Sequence, residues 1–275
     1  MRVGILELVM KVWKCKSVDI PLSPPIVMGI VNATPDSFSD GGEAMDPAAA
    51  AAKARRLVDA GAGMIDLGAE STRPGYDEID PAVEEARLLP VLEAVRRAVD
   101  VPISIDTRHA AVAAKALALG AEIINDVSAM ADSGMAEVVA STGAGVVLMH
   151  GYREHVECNG WASPDSRCAV EDVAKFLEER IAAAEAAGIR RESIVADPGL
   201  GFGKTNKDSA EILRGTDKLL RMIGVPLLIG PSRKRFLREM DETRGIENRD
   251  EASRIAAKMA IGRGAAIVRL HAPFA

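Results

Sequence analysis

From position 26 onward, short runs rich in Val, Ile, Leu and Met alternate with longer Ala-rich stretches whose apolar residues recur at helical spacing. Eight runs read as strands, at 26–31, 64–67, 103–105, 122–124, 146–149, 193–196, 227–229 and 266–268, each stopped by a polar, Gly or other turn-forming residue. Between them the pattern predicts helices at 48–60, 82–98, 110–119, 135–141, 170–187, 209–221 and 249–261. Seven helices follow seven strands, and none follows the eighth. An open doubly wound sheet would alternate in the same way. Eight consecutive units without a Gly-rich dinucleotide turn after the first strand predict closure into one α/β domain, a (β/α)8 TIM barrel lacking its usual last helix. No break in composition divides the array, so the barrel is taken as 26–275 with an extension at 1–25.

A missing last helix would leave a strip of Val, Ile and Ala open to water. The segment 3–13 carries Ile5, Leu6, Leu8, Val9, Val12 and Trp13 at roughly helical spacing, which suits a helix packed in that gap. A short strand or irregular plug across the bottom of the barrel is the alternative. The segment is too short, and has no small-residue cleavage site after it, to read as a signal peptide, and no run approaches a membrane span.

Composition sharpens this. The 48% hydrophobic and 3% aromatic content makes the core Ala, Val, Ile and Leu. A net charge of −6 speaks against a nucleic-acid partner and against an anionic membrane, so an anionic ligand must meet a local cluster of Lys and Arg. Cys15, Cys158 and Cys168 show no C-x-x-C spacing; neither a disulfide framework nor a thiolate zinc site is expected, and a reducing cytoplasm is.

Chemistry in such a barrel sits at the C-terminal strand ends. Those ends supply Asn32 with the loop 33–42, Asp66 with 70–75, Asp106, Asn125 and Asp126, His150, Asp197, 232–234, then Arg269 and His271. Asp66 and Asp126 also suit helix or turn capping. Buried Asp106, Asn125 and Asp197 offer acceptors for the ring N–H groups of a flat polar heterocycle, while Lys234, Arg269 and His271 offer positive charge to an anion beside it. The glycines of DPGLGFGKT (197–205) let backbone approach a ligand. They fit no nucleotide fingerprint, because the Walker spacing would need Gly where Pro198 stands and the dinucleotide spacing Gly where Lys204 stands. His109 and His155 read as surface or capping residues, and His150 as an orienter of its own loop.

Five separated blocks, MGIVNATPDSFSDGG (28–42), DLGAESTRPG (66–75), SIDT (104–107) with INDVS (124–128), DPGLGFGKT (197–205) and GPSRKRFL (230–237), with a weaker RLH (269–271), resemble those of the dihydropteroate synthases. The resemblance implies condensation of 6-hydroxymethyl-7,8-dihydropterin pyrophosphate with 4-aminobenzoate, through a cationic pterin formed as pyrophosphate leaves. It implies a pterin site of Asp106, Asn125, Met149, Asp197, Phe202 and Lys234. Asn32, Arg269 and His271 would face the pyrophosphate, with Mg2+ on Asn32, and Phe38, Thr72, Arg73, Pro74 and Ser232 would hold the 4-aminobenzoate. Asp106, Asp197 and Lys234 would carry the chemistry, with Asp36 orienting the intermediate. A homodimer through the later helices is also implied. Departures from the family pattern are Ala69 and Ala129 where Gly is common, Ala272 after the last His, and the stretch after His150. A barrel that binds a pterin for methyltetrahydrofolate-type methyl transfer would need neither the TPDSFSDGG loop nor the Lys234 and Arg269 cations, and a binding-only relative is the further alternative that the missing last helix and the altered stretch after His150 raise.

Overall fold

The computed structural model describes residues 12–33, 46–70, 79–151 and 169–274. Two strands, β1 (Val12–Cys15) and β2 (Val18–Pro21), form an antiparallel hairpin. The repeating array follows: β3 (Ile26–Asn32), α1 (Pro47–Asp59), β4 (Met64–Gly68), α2 (Pro81–Ala98), β5 (Ile103–Asp106), α3 (Ala110–Ala118), β6 (Ile123–Asp126), α4 (Met135–Thr142), β7 (Gly145–Met149), α5 (Ala169–Ala186), β8 (Ile194–Asp197), α6 (Asn206–Arg214), α7 (Thr216–Ile223), β9 (Leu228–Ile229), α8 (Arg249–Gly262) and β10 (Ile267–Leu270). The parallel strands run β8-β7-β6-β5-β4-β3-β10-β9. A parallel bridge from Ala196 to Leu227, with Ala196 N–H donating to Pro226 O at 2.9 Å, closes the ring. The fold is therefore the eight-stranded barrel that the alternation predicts, and no helix follows β10 among the described residues.

Local chemistry starts the helices. Asp46 and Asp80 cap α1 and α2 through their carboxylates, each followed by a Pro whose missing N–H costs nothing at the first helical position. Thr205 and Asp208 form a reciprocal capping box at α6. One predicted helix divides in two. The expected 209–221 helix breaks at Gly215, where a Cβ would stand 2.8 Å from Val170 Cγ2 of α5. Close approach of α5 demands Gly there, and the chain turns from α6 into α7.

Of the two readings of the N-terminal segment, the short strand plugging the bottom of the barrel is the one seen, and the helix in the side gap is corrected. Val12 and Trp13 lie in a strand, not a helix, and the hairpin sits under the barrel rather than at its side; residues 3–11 lie outside the described residues. Trp13, Cys15, Ile20 and Leu22 pack with Met28, Met64, Ile123, Val147, Val195, Leu228 and Ile267. Those seven come from seven different barrel strands, so the hairpin plugs the lower mouth. Trp13 Nε1 donates to Ser193 O at 2.8 Å, and Lys16 N–H to Gly143 O at 2.6 Å. Gly145 makes room: a Cβ on it would stand 2.4 Å from Cys15 Sγ. Burial pushes the Cys15 thiol far above its ordinary pKa, so it packs as a small apolar residue.

The second core layer lies between strands and helices, where Ala50, Ala54, Ala113, Ala116, Ala174, Ala256, Ala257 and Ala260 are all fully covered. Small residues on the helices let them approach the sheet closely, which explains why so alanine-rich a chain closes this barrel.

Candidate active site

Side chains two apart on a strand share a face. Two residues above Met64, Ile123, Val195 and Ile267 of the plugged layer come Asp66, Asn125, Asp197 and Arg269. On β5, Asp106 stands two above the buried Ser104. These upper residues meet across the barrel. Arg269 Nε donates to Asp66 Oδ2 at 2.5 Å and Arg269 Nη2 to Asp106 Oδ2 at 2.8 Å, while Asn125 Nδ2 donates to Asp66 Oδ2 at 3.2 Å.

The carboxylates pay heavily for leaving water. Burial raises Asp106 to about 7, against the pull of the Arg269 guanidinium and with help from the nearby charge of Asp66. Burial also raises Asp197, partly offset by Lys234 and by the N–H of Gly199 at 2.7 Å. Asp106 Oδ1 is buried with no donor among the described residues. An orphaned buried acceptor is costly, and this one remains available to a donor from outside the described residues.

Lys234 reaches the same space from the turn after β9. Its amine bonds Leu200 O and lies 4.4 Å from the centre of the Phe202 ring, and burial lowers it to about 8 despite Asp197. That turn is held from outside. Arg233 takes φ 58°, its N–H donates to Ser253 Oγ at 2.8 Å, and its guanidinium clasps Asp250 in the first turn of α8. Ser232 Oγ accepts from His271 N–H at 3.0 Å and lies 2.8 Å from His271 Nδ1, so the expected 4-aminobenzoate and pyrophosphate residues are neighbours.

The 197–205 loop wraps a lysine to which the sequence reading gave no role. Lys204 Nζ lies 2.7 Å from His150 Nδ1 and donates to the carbonyls of His150, Gly199 and Phe202 at 3.1, 2.9 and 3.3 Å. Gly199 has φ 63°, and a Cβ there would stand 2.0 Å from His150 O, so only glycine allows this closure. Burial and the Lys204 charge push His150 down to about 2, and its ring packs edge-on to Phe176 at 4.8 Å. A neutral, enclosed imidazole is an anchor for the strand end, not a base. Met149 is buried beside it, and Phe202 is half-buried.

Asp126 caps its own turn: it accepts from Ser128 N–H, Ser128 Oγ and Met130 N–H at 2.8, 2.6 and 2.7 Å. Those bonds hold Ala129 and Met130 at φ 52° and 65°, so Ala129 keeps the left-handed backbone that a glycine would favour. Asn32 ends β3 half-buried, with no hydrogen bond to its side chain among the described residues. His109 is not a surface residue. It stands at the start of α3 without capping it, and its Nδ1 lies 2.6 Å from the buried Glu84. Glu70, Glu84 and His109 gather within 4.8 Å, but Arg108 already clasps Glu70 at 2.8 Å and His109 engages Glu84, so the group reads as paired charges. Asp36, Phe38, Thr72, Arg73, Pro74, His155, Cys158 and Cys168 lie outside the described residues.

The profile of the family described as pterin binding enzyme matches residues 28–271. A dihydropteroate synthase of Neisseria meningitidis serogroup C is 43% identical over 265 residues, covering 94% of this chain and 92% of that protein. The chain belongs to the dihydropteroate synthases. The structure agrees. It is similar to a Xanthomonas albilineans dihydropteroate synthase solved with 4-aminobenzoic acid, at TM-score 0.86 and 39% identity over 96% of this chain and 93% of that one. The same enzyme in complex with 7,8-dihydropteroate gives TM-score 0.82 at 38% identity, over 96% and 94%. No helix among the described residues is long and apolar enough to cross a membrane.

Proposed function

We propose that this chain joins 6-hydroxymethyl-7,8-dihydropterin pyrophosphate to 4-aminobenzoate, giving 7,8-dihydropteroate and pyrophosphate. The observation that carries the reading is the desolvated pair Asp106 and Asp197, with no donor to Asp106 Oδ1 among the described residues, facing Lys234 and Arg269 at the top of a barrel of this family.

In the reaction the bond from the methylene carbon to the pyrophosphate oxygen breaks, and the oxygen keeps the electron pair. The arylamine nitrogen then bonds that carbon and gives up one proton. Positive charge grows on the pterin before the new bond forms, and fixed negative charge in a dry pocket stabilises it. Asp106 and Asp197 supply that charge and accept ring N–H groups together with Asn125 Oδ1. Met149 and Phe202 wall the ring. Arg269 and His271 stabilise the departing anion; Ser232 holds the arylamine side, where the family resemblance also assigns Phe38, Thr72, Arg73 and Pro74 to the 4-aminobenzoate and Asp36 to orienting the intermediate.

Asn32 fits a Mg2+ ion: its amide oxygen is uncommitted among the described residues, and Mg2+ takes few protein ligands when phosphate and water supply the rest. The ion would supply positive charge to the leaving pyrophosphate. A cytoplasmic location and a homodimer through the later helices belong to the same reading.

The test is pyrophosphate release on mixing the protein with the pterin pyrophosphate and 4-aminobenzoate. Release that requires both substrates and stops in excess chelator is expected. Pterin binding without release would replace this reading with a binding-only barrel, and undiminished rates in chelator would remove Mg2+ from it.

A further inference from the structure

Asp66 has no part in the roles assigned above, yet it is fully buried among the residues that have them. Its Oδ2 receives Arg269 Nε at 2.5 Å and Asn125 Nδ2 at 3.2 Å, and its Oδ1 has no donor among the described residues. One oxygen thus joins the side chain assigned to the anion with a side chain assigned to the ring.

The bond to Asn125 fixes a polarity. A carboxylate held against a guanidinium is an acceptor, so the Asn125 amide must turn its NH2 toward Asp66; the reverse orientation would set two oxygens against each other. Asn125 Oδ1 then faces away as an acceptor, and no protein donor among the described residues reaches it. The bond to Arg269 fixes a direction. Of the five guanidinium N–H groups, Asp66 takes the one on Nε and Asp106 takes one on Nη2, which leaves three on Nη1 and Nη2 for an anion.

We propose that Asp66 is a positioning residue: it sets the Asn125 amide so that the ring subsite accepts hydrogen bonds from a heterocyclic N–H, and it aims the Arg269 guanidinium so that its far edge meets the pyrophosphate. The proposal rests on the functional reading above and extends it to a carboxylate to which that reading gives no ligand contact.

The test uses two probes, the unphosphorylated 6-hydroxymethyl dihydropterin and inorganic pyrophosphate, titrated by calorimetry into the full chain. Asp66→Ala removes both acceptor contacts and is expected to weaken each probe roughly tenfold, the scale of one lost bond to a charged group. Asp66→Asn can still place an oxygen where Oδ2 stands, so it restores most of both affinities. In an Asn125→Ala background, Asp66→Ala no longer changes the affinity of the pterin but still weakens pyrophosphate; a merely structural loss would fall equally on both backgrounds. If Asp66→Ala does not fold, Asp66→Leu fills the space without an acceptor and carries the same cycle. Unchanged binding of both probes by the Ala or Leu variant, or an equal loss of pterin affinity in the two backgrounds, overturns the positioning role. A wild-type protein that neither binds the pterin nor releases pyrophosphate overturns the functional reading instead.

Discussion

The two ends of this barrel are built from the same strands and differ by one step of the pleat. At the lower end Met64, Ile123, Val195 and Ile267 meet Trp13 and Cys15 of the hairpin in a dry apolar layer. Two residues on, about 7 Å along each strand, the same faces carry Asp66, Asn125, Asp197 and Arg269, where Asp66 Oδ1 and the neighbouring Asp106 Oδ1 have no donor among the described residues. The lower layer gains stability from burial. The upper layer gives stability up, because desolvated carboxylates resist charging, and that cost is what makes the site receptive to a ligand with N–H groups and growing positive charge. Separating the two along the barrel axis lets one end hold the ring of strands together while the other stays electrostatically unsatisfied.

The sharpest way to break this comparison is Trp13→Ala. The ring is fully covered and its indole N–H is bonded, so its loss should cost about 3–5 kcal/mol in urea unfolding, with kcat of the folded fraction unchanged. A fall in kcat would show that the two ends are coupled after all.

Asp106→Asn should do the reverse. Turnover should fall about a hundred- to a thousandfold, the loss seen when one preorganised electrostatic contact is removed, while stability at neutral pH is kept or improved. The sign follows from the shift. The carboxyl titrates at about 7 in the folded protein against 3.8 for the ordinary group, so the native state binds this proton more tightly than the unfolded one. Its contribution to stability therefore declines as pH rises from about 3.8 to about 7 and stays lost above that. Melting curves of the variant and the wild type should converge at the acid end of that window and separate at neutral pH; a variant that melts lower at pH 8 would contradict this.

Arg269→Ala sharpens the picture within the upper layer. It should weaken pterin pyrophosphate by roughly a hundredfold, the scale of a charge-assisted bidentate contact, and the unphosphorylated pterin far less, as read by calorimetry on both ligands. Equal losses would mean that the Asp66 and Asp106 contacts, not an anion, account for the arginine.

Much of this could be read before any coordinates. Asp106, Asn125, Asp197, Lys234 and Arg269 were legible as one site because each ends a strand run, and chemistry in a barrel gathers at those ends. The Asp–Pro starts of α1 and α2 are likewise local, whereas the contact that requires glycine at 199 is with the carbonyl of His150, far away in the chain. The sequence alone leaves Asp66 open between site and cap, since the contact that decides it spans 203 residues to Arg269. The role of Lys204 is hidden for a similar reason: the sequence shows that it breaks a dinucleotide spacing, whereas the four groups around its amine come together only when β7 and β8 lie side by side.

What the sequence determined by itself, then, is whatever depends on neighbours in the chain: the short apolar runs and helical patterns that number the strands and helices, the turn residues that stop them, and the motifs that put chemistry at their ends. Only the tertiary structure decided the rest. The residue at 215, where α6 gives way to α7, must be glycine because α5 passes too close for a Cβ. The apolar stretch at Trp13 becomes a strand, not a helix, because Gly145 and the carbonyl of Ser193 offer it a place beneath the barrel. Asp106 titrates near neutrality because burial strips its water while one arginine, shared with Asp66, cannot make up the loss. Each of these is set by groups far apart in sequence and close in space, where packing and desolvation, not local propensity, carry the energy.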